Sequence, residues 1–83
     1  MKKLVVGNWK MNGDKQTCRS LISEIAKSTN VEVVICPPYP YLEVAQDCGV
    51  IVGAQNCAAF DNGAYTGEIS AKMLADIGCK YVI

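Results

Sequence analysis

Apolar positions along this chain alternate between short runs and helical stripes. Residues 4–8 form an apolar run with lysines in front and a turn behind, which predicts a first strand of about five residues. Asp14 suits a helix N-cap, and Cys18, Leu21, Ile22 and Ile25 then recur at steps of three and four with charges opposite. That spacing predicts a helix over residues 15–28, laying one stripe on the sheet and closed by Asn30. Residues 31–36 are rich in β-branched side chains and stop at Pro37-Pro38, which lack backbone donors and cannot continue a ladder. This is the second strand. Pro40 suits the first turn of a second helix, Leu42, Val44, Ala45 and Cys48 give its apolar side, and Gly49 provides a left-handed exit. Residues 50–54 make the third strand.

Residues 55–69 carry Asn62-Gly63 and Gly67 with no sustained period. A connection of about fifteen residues exceeds the usual loop length and suggests a function of its own. Ser70 or Glu68 starts a third helix in which Ile69, Met73 and Ile77 align at steps of four. Gly78 ends it, and residues 81–83 begin a fourth strand. The succession β-α-β-α-β-loop-α-β predicts an α/β fold with parallel strands joined by right-handed crossovers. Near-continuous apolar strands call for cover on both faces, which three helices do not supply. The outer strands are therefore expected to leave open edges. There is no internal repeat, low-complexity tract or dividing linker, so residues 1–83 read as a single partial domain.

The chain of 83 residues is long enough for one small unit, which buries only about 60 to 65 % of its unfolded surface. Eight basic and eight acidic residues cancel and are scattered, so no electropositive stripe exists for a nucleic-acid backbone. Met1-Lys2-Lys3 resembles the start of a secretory signal, but Asn8 and Lys10 interrupt the apolar run too early. No apolar stretch approaches the roughly 20 residues of a membrane helix. A soluble, cytoplasmic protein is expected, with no membrane and no nucleic acid among its partners. The five cysteines, Cys18, Cys36, Cys48, Cys57 and Cys79, form no C-x-x-C pair and have no histidine to complete a zinc set. They read as reduced, mostly buried small residues, and no metal is expected.

Candidate chemistry lies just after the first strand, in Asn8-Trp9-Lys10-Met11-Asn12-Gly13. Side chains alternate along a strand, so Asn8 and Lys10 share a side while Trp9 points away. Ligands of parallel α/β sheets bind at the carboxyl ends of the strands, where this amide and cation converge as an anion site. A lysine entering a turn is more often a solvated surface residue, and wider context has to decide.

That context is a resemblance. The stretch Gly7 to Gly13, with Cys36-Pro37-Pro38, Gly53-Ala54-Gln55-Asn56-Cys57 and Ala64-Tyr65-Thr66-Gly67-Glu68, closely resembles the amino-terminal third of the triose-phosphate isomerase family, with the four motifs in family order. The resemblance implies the first three β/α units and fourth strand of a (β/α)8 TIM barrel, a fold of roughly 250 residues in all. It implies interconversion of dihydroxyacetone phosphate and D-glyceraldehyde 3-phosphate through an enediolate, in glycolysis and gluconeogenesis, without cofactor or metal. Lys10 matches the family's catalytic lysine, which also binds substrate, and Asn8 the asparagine that helps hold substrate and lysine. The loop 55–69 matches the family's dimer-forming loop. Thr66 then approaches the partner's Asn-x-Lys pair, Tyr65, Gly67 and Glu68 flank it, and Glu68 has as its counterpart an arginine of the family. Met11 walls the receiving pocket, although a methionine beside a strand is more often core filler, and Gln55 is an interface polar residue. A homodimer is implied. The family's base and electrophile, a glutamate and a neutral histidine, are not among these residues: the chain stops at Ile83, where the family continues into a Gly-His-Ser segment. The segment alone is therefore expected to be inactive.

Two other classes remain in view. A free-standing redox or nucleotide module of thioredoxin or flavodoxin type lacks its C-x-x-C, its G-x-G-x-x-G and its phosphate loop here. A non-catalytic α/β fragment or interaction module would pair through its exposed sheet edge.

Overall fold

The computed structural model describes residues 3–25 and 31–83. Its elements are β1 (Lys3–Asn8), α1 (Lys15–Ile25), β2 (Val31–Cys36), a 3-10 turn (Tyr39–Tyr41), α2 (Leu42–Asp47), β3 (Ile51–Ala54), α3 (Ala71–Asp76) and β4 (Tyr81–Val82). The four strands lie in chain order and every pairing is parallel. Together with the alternating helices they make a curled half-barrel, the N-terminal part of a TIM-barrel arrangement. The expected end of the first helix at Ser28 and Asn30 lies outside the described residues.

Local chemistry sets most boundaries. Asp14 caps α1: its Oδ1 accepts from the Thr17 N–H at 2.7 Å, and its carbonyl accepts the first helical bond, from Cys18, at 2.9 Å. Ser70 caps α3, its Oγ accepting from the Met73 N–H at 3.1 Å. Of the two expected starts, Ser70 is the one used. Both short helices end at glycines of positive φ, Gly49 at 92° and Gly78 at 90°, the conformation that a left-handed exit requires. At Pro37-Pro38 the β2 ladder stops, and Pro40 enters the 3-10 turn that leads into α2.

The register separates the two sheet faces. Ile35 pairs with Val52, and Val52 and Ala54 share a face. On that face they pack with Cys18 and Ile22 of α1, Leu42 and Ala45 of α2, and Leu74 of α3 to form the buried core. Cys36 and Asn8, register partners at the ends of β2 and β1, fall on the opposite face.

Two apolar expectations are corrected. Leu21 is 45 % exposed while Cys18 and Ile22 are fully buried, because residues four apart lie within about 40° on a helix and Leu21 sits on the flank of their stripe. In α3 the buried residue is Leu74, and Met73 is 51 % exposed. Ile69 and Ile77 lie outside the six helical residues, so their spacing from Met73 follows no helical face. β2 is largely covered, whereas Leu4, Val5 and Val6 of β1 and Tyr81 and Val82 of β4 are exposed large apolar residues. The outer strands do leave their edges open among the described residues.

Candidate active site

The site forms where the carboxyl ends of β1, β2 and β3 come together. β1 ends at Asn8, and the chain then turns sharply. Trp9 packs against the helix-side core, as the strand alternation predicts, and its N–H donates to the Cys36 carbonyl at 3.1 Å. Asn8 bends its carboxamide forward, so that Oδ1 accepts from the Lys10 N–H at 2.9 Å. Asn12 closes the turn from the other side, its Nδ2 donating to the Trp9 carbonyl at 3.0 Å. Such side-chain to backbone bonds replace the ladder bonds that β1 loses at its end.

Lys10 has a φ of 56° and is the one non-glycine residue of positive φ among the described residues. A left-handed conformation costs a residue with a Cβ about 1–2 kcal/mol, and the local bonds must offset it. Asn8 holds the N–H of Lys10, and Gln55 holds its carbonyl. Gln55 follows directly on β3, and its Nε2 donates at 2.8 Å to both the Lys10 and Cys36 carbonyls. The structure thus brings Asn8, Lys10 and Gln55 together. Asn8 and Lys10 are exposed and Gln55 is half-buried, so the lysine is open to ligand at the carboxyl edge of a parallel sheet. A cation with an amide beside it can bind an oxyanion and neutralise charge that develops on it.

Among the described residues, no hydrogen bond joins Met11 to this group. It is 93 % exposed and borders a cleft of about 420 Å³ with Asn12, Gly13, Pro38, Pro40 and Tyr41. The long loop 55–69 is organised by itself. Ala58 N–H donates to the Ile69 carbonyl at 2.7 Å and Ala58 bridges to Ser70, which closes the loop at its base. The Tyr39 hydroxyl donates to the Asn56 carbonyl and ties that base to the connection after β2. Beyond the closure, the rings of Phe60 and Tyr65 stack with centroids 4.2 Å apart and planes 6° from parallel. Glu68 N–H donates to the Tyr65 carbonyl at 3.1 Å, closing a turn over Thr66 and Gly67. Residues 65–68 are all exposed, so the loop presents Thr66 at a structured tip.

Of the cysteines, Cys18 and Cys36 are buried, while Cys48, Cys57 and Cys79 are half-buried; all five are free. Burial, foremost, pushes the Cys18 and Cys36 thiols above their ordinary range, which disfavours the thiolate at neutral pH. The described residues contain no cluster of three or more His, Cys, Asp or Glu arranged to hold a metal ion. No helix among them is long and apolar enough to cross a membrane.

Sequence reasoning missed the two hydrogen bonds from Gln55 and the cap from Asn12. The available signal was a long amide placed directly after a buried strand, at the edge where the neighbouring strands also end.

The sequence has counterparts among known proteins. A family model described as Triosephosphate isomerase matches residues 3–83. The chain is 48 % identical to the triosephosphate isomerase of Halorhodospira halophila over 86 residues, covering 99 % of this chain and 34 % of that protein. It is 46 % identical to that of Hahella chejuensis, with 99 % and 36 % covered. For that of Alcanivorax borkumensis the identity is 49 %, with 96 % and 34 % covered. The chain spans about a third of the length of these curated relatives. With four parallel strands in order, alternating helices and a match that runs from Lys3 to Ile83, the chain belongs to the triosephosphate isomerase family.

Proposed function

We propose that residues 1–83 are one partial domain, the first β/α units of a complete barrel that interconverts dihydroxyacetone phosphate and D-glyceraldehyde 3-phosphate in the cytoplasm. The reaction moves a proton between adjacent carbons through an enediolate. It needs a base at the carbon, donors to the oxygens, positive potential near the phosphate and exclusion of water. In this reading Lys10 supplies the positive potential. Its ammonium binds the substrate's anionic oxygens and offsets charge as the enediolate forms, while Asn8 fixes the turn from which it projects. The family's glutamate and histidine are contributed by other parts of the barrel. The observation that carries the reading is the bond from Lys10 N–H to Asn8 Oδ1, which seats the lysine at the carboxyl edge of the sheet.

The energetics are adequate. At ~4 Å and an effective dielectric near 20, opposite unit charges attract by about 4 kcal/mol. Loss of one preorganised oxyanion donor costs roughly 3–4 kcal/mol of transition-state stabilisation. A homodimer accompanies this function, formed through the loop 55–69. Thr66 supports the partner's Asn-x-Lys turn, Tyr65, Gly67 and Glu68 flank it, Met11 walls the receiving cleft, and Gln55 stands at the interface edge.

A second reading, a non-catalytic module that pairs through its sheet edge, is favoured by the exposed Leu4, Val5 and Val6. One isomerase assay separates the two. The complete protein is expected to turn over triose phosphate, its Lys10→Ala variant to retain less than about a hundredth of that rate, and the isolated 83-residue chain to be inactive. A Lys10→Ala variant with more than about a tenth of normal activity, far above what loss of such a donor leaves, would refute the assignment.

A further inference from the structure

We infer that Gln55 is a positioning residue for the Lys10 ammonium, an inference that rests on the isomerase reading above. An amide NH2 has two hydrogens, and the two of Gln55 go to the carbonyls of Lys10 and Cys36, each at 2.8 Å. The Cys36 carbonyl also accepts from Trp9 N–H at 3.1 Å. The ends of β1, β2 and β3 therefore meet at one carboxamide. This contact joins residues 45 apart in the chain, so it belongs to the assembled sheet and not to the local turn.

Its consequence falls on Lys10. The peptide groups on either side of the Lys10 Cα are anchored separately, the N–H by Asn8 and the C=O by Gln55. With both fixed, the left-handed φ of 56° is held, and so is the direction of the Cα–Cβ bond from which the ammonium projects. Without the Gln55 donors the Lys10 carbonyl is released. The residue then relaxes toward the negative φ that an L side chain prefers, which swings the root of the side chain. Gln55 itself touches no substrate in this arrangement; it acts through Lys10. The requirement is also specific. A glutamate of the same shape would aim acceptor oxygens at two carbonyls, and a methionine of similar length has no donor.

The test uses the complete protein carrying this segment, in four forms: unchanged, Lys10→Ala, Gln55→Met and Gln55→Glu. Turnover, KM, inhibition by inorganic phosphate, solution mass and thermal unfolding are measured for each. Gln55→Met is expected to lower kcat/KM on the order of 100-fold, the effect of misplacing a catalytic group by about 1 Å, with mass unchanged. Phosphate inhibition should weaken by about tenfold, as expected for one impaired charge-assisted contact. For Gln55→Glu, activity relative to the unchanged protein should fall as pH rises through the introduced carboxyl's titration. The protonated acid keeps one O–H donor and the carboxylate keeps none.

Activity and phosphate inhibition of Gln55→Met within about threefold of normal, well short of a misplacement effect, would overturn the inference even if thermal stability fell. So would a halved mass with activity restored at higher protein concentration. If Gln55→Met does not fold, the pH profile decides, and a flat ratio for Gln55→Glu refutes the role. An unchanged complete protein with no turnover of triose phosphate would instead bring down the isomerase reading itself, and a Lys10→Ala protein of normal activity the role of the lysine, which separates those failures from that of Gln55.

Discussion

Cys36 and Gly53 share one space: a Cβ built on Gly53 would lie 2.7 Å from the Cys36 Sγ, and 3.3 Å from the Cβ of Tyr81. Three adjacent strands thus meet where the middle one carries no side chain, and the buried thiol fills the gap. Gly53→Ala is expected to cost about 1–3 kcal/mol through overpacking, while Gly53→Ala combined with Cys36→Ala recovers part of that loss. Denaturant unfolding of the complete protein in a double-mutant cycle checks this. A strictly additive pair would contradict the shared space.

Asp14 gives the fold a pH dependence whose sign is fixed. The Thr17 N–H and then the Thr17 hydroxyl hold its carboxyl below the ordinary value of 3.8, against a smaller upward push from desolvation, and the Gln16 N–H adds a weaker pull in the same downward direction. A depressed folded pKa means that the ionised cap stabilises the fold above the unfolded value and that this contribution is lost as pH falls through the folded value. Asp14→Ala should therefore lower the melting temperature at pH 7, with the gap to the unchanged protein closing in the acid range below pH 3.8. A gap that stays equal from pH 7 through the whole acid range would show that the charged cap is not its source.

The loop beyond β3 carries the proposed dimer. Replacing residues 59–68 with a short glycine-containing turn removes the Phe60–Tyr65 stack and the Thr66 tip but keeps the Ala58 and Ile69 closure. The shortened complete protein should sediment at half the parent mass. A mass that stays at the dimer value would exclude this loop as the principal contact.

The strands were legible because their limits are written in single residues. Pro37 cannot donate, the run from Val31 to Cys36 is rich in β-branched residues, and Gly49 and Gly78 supply left-handed exits. Asp14 was legible as a cap for the same local reason. The closeness of Asn8 and Lys10 at a strand end was legible, though not the left-handed backbone of Lys10, because strand alternation stops at Asn8. The α3 face was not: Met73 and Leu74 are both apolar and adjacent, and a six-residue helix is too short for periodicity to choose between them. The Gln55 bonds were also invisible, because a contact across 45 residues depends on how β1, β2 and β3 line up at their ends. Periodicity within one element carries no information about that alignment.

The bridge between Ala58 and Ser70 divides the work of this segment. Everything between them hangs from a fastened neck, so exchanging tip residues such as Asp61, Asn62 and Ala64 alters the exposed surface of the loop and leaves the bonds at its base in place.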